Sequence, residues 1–178
     1  MHLSTSIIRG MCLIIALTFS YSVLALKADR KQPIKVEADK ANIEKQSGIS
    51  TYSGHVVIRQ GSLIITADKL KLYTKNGKLE RMVANGKPAT FNQRGAQGKN
   101  VRANANKITF HMKRNVAIFE GKANLMQGDN TFNSNRIIYN ANTNSVDAGK
   151  SSGGGRVIIT ISPDSNNDKS GAQDKPKP

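Results

Sequence analysis

The chain has 178 residues, with 27 Lys and Arg against 12 Asp and Glu, a formal charge of +15, a single Cys and no Trp. One cysteine excludes a disulfide framework and a multi-thiolate metal site. The charge fits either simple solubility or an anionic partner, whether nucleic acid, an anionic lipid surface or a phosphorylated ligand.

Residues 1–9 carry one charge, Arg9, and after Gly10 the 16 residues MCLIIALTFSYSVLAL are predominantly apolar. That run is short for a membrane span of about 20 residues. It contains SVLA, with Val23 and Ala25 placed as the small residues of a cleavage site. Residues 1–25 therefore read as a secretory signal peptide cleaved near Ala25. Cys12 lies inside the apolar run with no lipobox before it, so the mature chain has no cysteine and no lipid anchor is expected. Export also argues against a nucleic-acid partner.

From residue 26 to 161 short runs of alternating apolar and polar residues are separated by turn sequences: QSG, RQG, KNG, ANG, RGAQG, MQG and NANTN. This pattern predicts one all-β domain of short antiparallel strands. The first strand begins near Pro33, and RVIITI at 156–161 is the last candidate. Residues 162–178 hold no Val, Ile, Leu or Met and are rich in Asp, Asn, Lys and Pro, which predicts a disordered tail.

The domain repeats itself. YSGHVVIRQG at 52–61 and FEGKANLMQG at 119–128 align with an offset of 67 residues. A triplet of small residue, Asp or Asn, and Lys or Arg recurs four times, starting at Ala38, Ala67, Ala105 and Ser134. Before each triplet the apolar residues share one parity: Ile34 and Val36, Leu63 and Ile65, Val101 and Ala103, Phe132. After it the parity flips: Ala41 and Ile43, Leu70 and Leu72, Ile108, Phe110 and Met112, Ile137 and Tyr139. Alternate residues of a strand face opposite sides, so one extra residue at each triplet, as in a β-bulge or a sharp strand bend, would keep one apolar face inward. Strands bending in every layer predict an elongated β-jellyroll, a folded-over, solenoid-like antiparallel sheet with open edge strands at both ends.

Catalytic signatures are missing. The two histidines of the mature chain, His55 and His111, lie outside any HxH or HExxH pattern, and there is no GxSxG and no P-loop. The carboxylates fall at bends and turns. No catalytic residue, metal site or cofactor is expected, and the protein reads as a non-enzyme.

QPIKVEADKANI, YSGHVVIRQGSLIITADKL, NGKPATFNQ and FEGKANLMQG, in this order behind a signal peptide, resemble the LptA (OstA-like) family of periplasmic lipopolysaccharide-export bridge proteins of Gram-negative bacteria. The likeness spans residues 30–161. It implies periplasmic location and a jellyroll whose apolar groove carries lipid A acyl chains. It also implies head-to-tail self-assembly between an inner-membrane export component and the N-terminal domain of an outer-membrane translocon. By this resemblance Ile34, Val36, Phe91, Phe110 and Met112 contact acyl chains; strand parity independently turns all of these but Phe91 inward. Val56, Ile58, Leu63, Ile65, Phe119, Leu125 and Phe132 complete the expected lining. This chain departs from the family in its thinner aromatic content in the second half and its strong positive charge. Two other readings remain at this point: a structural periplasmic filament or adaptor of the same fold without lipid cargo, and a paralogous export component.

Overall fold

A computed structural model describes Asp29 and residues 31–95, 98–149 and 155–162 of the chain. The expected signal peptide and nearly all of the expected tail lie outside these residues. The strands are β1 Lys35–Glu37, β2 Lys40–Glu44, β3 Ile49–Gln60, β4 Leu63–Lys75, β5 Lys78–Arg94, β6 Asn100–His111, β7 Val116–Gln127, β8 Asn130–Asn140, β9 Ser145–Ala148 and β10 Ile158–Thr160. They form one ten-stranded sheet with the path β1-β3-β4-β5-β6-β7-β8-β10, while β2 also pairs with β3 and β9 with β8. Every pairing is antiparallel.

The turns follow from residue choice. Asn76 and Gly77 both have positive φ, 51° and 71°, as a two-residue hairpin of the Asn-Gly type requires. Positive φ recurs 67 residues apart at Gly48 and Asn115, Gly54 and Gly121, His55 and Lys122, Gly61 and Gly128, and Gly77 and Asn144. The repeat seen in the sequence is thus a repeat of backbone conformation. β6 in the second copy corresponds to β1 and β2 in the first, and β9 and β10 correspond to the two ends of β5.

The sheet bends along one row of residues. Pairing registers shift between Ser53 and Val56 on β3, Asn85 and Ala89 on β5, Asn104 and Lys107 on β6, and Glu120 and Ala123 on β7. Each triplet sits in this row. The parity flip is present: Leu63, Ile65, Leu70 and Leu72 are buried on β4, while Asp68 and Lys69 between them are exposed. Of the two devices expected, a bulge or a sharp bend, the triplet strands carry the bend, and the extra residues lie on their neighbours. Gly54 and His55 on β3 face the single Asp68, Gly121 and Lys122 on β7 face the single Asn135, and Gly86, Lys87 and Pro88 on β5 face the single Asn106. The intervening strands run the longer path around the corner, and on β3 and β7 a glycine with left-handed φ, Gly54 and Gly121, makes it.

The bend divides the sheet into two facing layers. Layer I holds β1, β10 and residues 56–60, 63–67, 89–94, 100–105, 123–127 and 130–134. Layer II holds β2, β9 and residues 49–53, 69–75, 78–85, 107–111, 116–120 and 136–140. The core lies between them: Phe91 of layer I meets Phe110 and Phe119 of layer II with ring centroids 6.0 and 5.4 Å apart. This is the folded-over, jellyroll-like antiparallel sheet expected from the sequence.

Candidate functional site: the apolar interior and its rims

Cross-strand pairing lines up the inward residues into ladders. In layer I the ladder runs Val36, Ile58, Ile65, Phe91, Ala103, Leu125, Phe132 and Ile159. In layer II a facing ladder runs Ala41, Tyr52, Leu70, Ala84, Ile108, Phe119, Ile137 and Ala148. Each ladder is an unbroken apolar track from one sheet edge to the other, interrupted by no charge.

The expected lining residues fall into two groups along this track. Val56, Ile58, Leu63, Ile65, Phe91, Phe110, Phe119 and Leu125 are all 3% exposed or less. They are packed against each other between the layers, so water does not reach them. Ile34, Val36, Met112 and Phe132 are only partly buried against that core. The first eight are therefore closed interior rather than an open groove, and the other four stand toward its borders. The sequence reading named both groups, Phe91 by resemblance alone; it could not separate them, because depth depends on how many strands cover a residue.

The two ends of the track are open. At one end Ile43 on β2 is 60% exposed; at the other Ile158, Ile159 and Ile161 are 59%, 50% and 73% exposed. Among the described residues β1 and β2 pair on one side, with β3, and β9 and β10 with β8. Their free edges present unpaired backbone groups beside exposed isoleucines.

The long side opposite the bend is formed by hairpin turns. Here Gln127 of layer I donates from Nε2 to Asn144 Oδ1 at the layer II rim, at 2.6 Å. Tyr139 of layer II reaches across so that a side chain on Gly95 would come within 3.4 Å of its hydroxyl. Gln60 and Gln93 are buried on the inward parity beside this rim. The sequence reading passed over these glutamines, although their step of two from Ile58, Phe91 and Leu125 was a signal that they face in.

The outer face of the bend is polar. His55 Nδ1 pairs with Asp39 Oδ2 at 2.8 Å, and that hydrogen bond and charge hold the imidazole pKa above its ordinary value. Lys107 pairs with Glu120 at 3.0 Å. A concave patch beside them is lined by Gly86, Lys87, Pro88, Asn104, Asn106 and Lys122. Among the described residues no group of three His, Cys, Asp or Glu could hold a metal ion. The interior offers two apolar walls, with the buried Gln60 and Gln93 at its rim.

Comparison with known proteins agrees with this architecture. Residues 35–145 match the family described as LptA/(LptD N-terminal domain) LPS transport protein. The lipopolysaccharide export system protein LptH of Pseudomonas aeruginosa is 36% identical over 136 residues, 75% of this chain and 78% of that protein. The lipopolysaccharide export system protein LptA of Escherichia coli K12 is 30% identical over 155 residues, 86% of this chain and 83% of that one. The crystal structure of LptH, described as the LptA homologous periplasmic component of the conserved lipopolysaccharide transport device of Pseudomonas aeruginosa, superposes with a TM-score of 0.71. That match has 32% identity and covers 76% of this chain and 99% of the crystallised one.

Proposed function

The chain belongs to the LptA/LptD N-terminal domain family of lipopolysaccharide transport proteins, and from that premise we propose that it carries lipid A acyl chains between its two layers. It is a periplasmic lipopolysaccharide transport protein, in keeping with its relatives. The observation that carries the finer reading is the pair of facing apolar ladders running from edge to edge.

Carriage follows from elementary energetics. Acyl chains moved from water to an apolar interior gain about 0.8 kcal/mol per CH₂. The contacts are non-directional, so a chain slides from Val36 toward Ile159 without meeting a deep well. The phosphorylated sugars stay outside, where the excess of Lys and Arg attracts them. Directed movement draws its energy from other components, and catalysis has no part in it.

The interior must part to admit a chain, because its centre is closed. β3 to β8 cross the bend continuously, which makes that side a hinge. The opposite side is closed by side-chain contacts such as Gln127 with Asn144 and is the side that opens. The free edges of β1 and β2 and of β9 and β10 serve head-to-tail assembly with further copies, with the inner-membrane export component and with the translocon's N-terminal domain. Residues 1–25 act as the export signal, 26–161 as the carrier domain and 162–178 as a tail.

A photo-crosslinker in place of Phe110, Met112 or Val36 should trap lipopolysaccharide in cells, whereas one at the exposed Lys35 should not. Adducts from Lys35 with none from Phe110 would defeat carriage in the interior. One observation favours a scaffold without cargo: the dry packing of Phe91, Phe119 and Leu125. Titration with purified lipopolysaccharide separates the two, since a scaffold oligomerises but does not bind it.

A further inference from the structure

Among the described residues, three buried side-chain atoms have no hydrogen-bond partner: Gln93 Oε1, Asn115 Oδ1 and Tyr139 Oη. An unpaired buried polar atom destabilises a fold and calls for an explanation. All three stand on the side opposite the bend. Gln93 is the second-last residue of β5, Tyr139 the second-last of β8, and Asn115 lies in the β6–β7 turn. Gln93 and Tyr139 belong to opposite layers, since Gln93 pairs with Val101 and Tyr139 with Ala117. Their neighbourhoods nevertheless meet. Gly95, two residues beyond Gln93 and just past the end of β5, is where a side chain would approach both the Tyr139 hydroxyl, at 3.4 Å, and Val101, at 3.2 Å. Just inward of this rim the walls are wholly apolar, from Phe91 to Phe119 and Leu125.

We propose that Gln93 and Tyr139 form a hydrogen-bonding station at the mouth of the interior for the ester and amide groups that join acyl chains to a sugar backbone. This rests on the lipid-carriage reading above. The chemistry is complementary. Gln93 offers an unpaired amide oxygen, which accepts from an amide N–H. Tyr139 offers an unpaired hydroxyl, which donates to an ester or amide carbonyl. Burial pushes the Tyr139 pKa up, so the hydroxyl keeps its proton. An acylated amino sugar places its apolar chains and its linkage groups next to one another, and this rim places an apolar wall and two orphaned polar atoms next to one another. A plain alkyl chain would use only the wall. The station therefore sets how deep a lipid can enter and favours acylated sugars over free fatty acids.

The test uses the full mature protein with two probes, purified lipid A and myristate, which lacks both linkages. Tyr139→Phe removes one oxygen, and Gln93→Leu removes the amide while keeping the bulk. Each should keep or raise Tm, because each deletes an unpaired buried atom. The double variant should bind lipid A about tenfold more weakly, as expected for two lost hydrogen bonds, and bind myristate as the wild type does. Unchanged lipid A affinity in a variant of raised Tm would overturn the station, leaving the two atoms as packing imperfections. Equal loss for both probes would also overturn it, since the loss would then be apolar. If Gln93→Leu does not fold, Tyr139→Phe alone decides, with an expected loss of about threefold for lipid A only. A wild-type protein that binds neither probe sinks carriage itself, an outcome distinct from wild-type binding with indifferent variants.

Discussion

Phe91 and Phe119 meet edge to face, their ring planes at 80° and their centroids 5.4 Å apart, from opposite layers of one folded sheet. They are 28 residues apart in sequence and in strands that are not neighbours. Their contact exists only because β5, β6 and β7 all turn at the same row. It closes the middle of the apolar track, and the consequences of that closure can be measured.

Phe91→Ala should cost about 3–5 kcal/mol of unfolding free energy, the usual range for a fully buried Phe. Phe91→Leu, which keeps most of the volume, should cost under about 1.5 kcal/mol. Urea denaturation followed by circular dichroism measures both. A cost below about 1 kcal/mol for the alanine variant would show the layers to be loosely packed there.

Cysteines at positions 127 and 144, joined by a short bifunctional maleimide, should hold the layers together on the side opposite the bend. Lipopolysaccharide binding by this species should fall at least tenfold relative to the same protein modified with a monofunctional maleimide. Equal binding by the two would mean that chains enter from the ends of the track rather than from its side.

Ile159 lies on β10 at a free edge and pairs with Phe132. Ile159→Pro should abolish concentration-dependent association in light scattering while Tm stays within a few degrees, because proline blocks an edge without disturbing the central strands. Undiminished oligomers would exclude this edge from assembly.

The two histidines of the folded domain should titrate on opposite sides of the ordinary value in NMR. His55 is raised by its hydrogen bond and charge pairing with Asp39; His111 is lowered by burial and then by Arg114 and Arg81. The signs for stability differ accordingly. The His55 contribution is complete below the unfolded pKa, near 6.5, and disappears as pH rises through its higher folded pKa. The His111 penalty is absent at high pH, grows as pH falls through 6.5, and is complete below its lower folded pKa. Asp39→Asn should return His55 toward its ordinary value and leave His111 where it is.

Gly54 and Gly121 have the same φ, +78°, at equivalent corners, yet their surroundings differ. A Cβ at Gly54 would fall 2.9 Å from the Asp39 Cβ and nearer still to its carboxylate, and at Gly121 it would fall 2.8 Å from Asn106 Nδ2. Gly54→Ala should therefore cost more than the 1–2 kcal/mol of left-handed strain, and should free His55 by displacing Asp39. Gly77→Ala, with nothing within 4 Å, should cost the strain alone. Thermal unfolding of the two variants gives the order.

The corner was readable because it was written four times. One Ala-Asp-Lys would have passed for a surface turn; four, each with a parity flip, located a row. Which strand carried the extra residues was not readable. A flip on β4 is satisfied equally by a bulge there or by a longer path through Gly54 and His55 on its neighbour, and only the pairing register distinguishes them. Gln93 was hidden for a different reason. Its parity pointed inward, but a glutamine at a strand end is ordinarily solvated, and its burial to 5% exposure follows only once the sheet has folded over.

Sequence by itself determined the class of fold, the twofold repeat, the bend and the side of each triplet strand that faces in. These are local properties, encoded in steps of two residues and in the φ that glycine and asparagine permit. Tertiary structure alone decided that Phe91, Phe119 and Leu125 are sealed while Val36 and Ile159 stand at open ends, and that two polar atoms are stranded at the mouth. Burial depth depends on what lies above a residue. That is set by strands distant in sequence and by a second layer that exists only once the sheet has folded over.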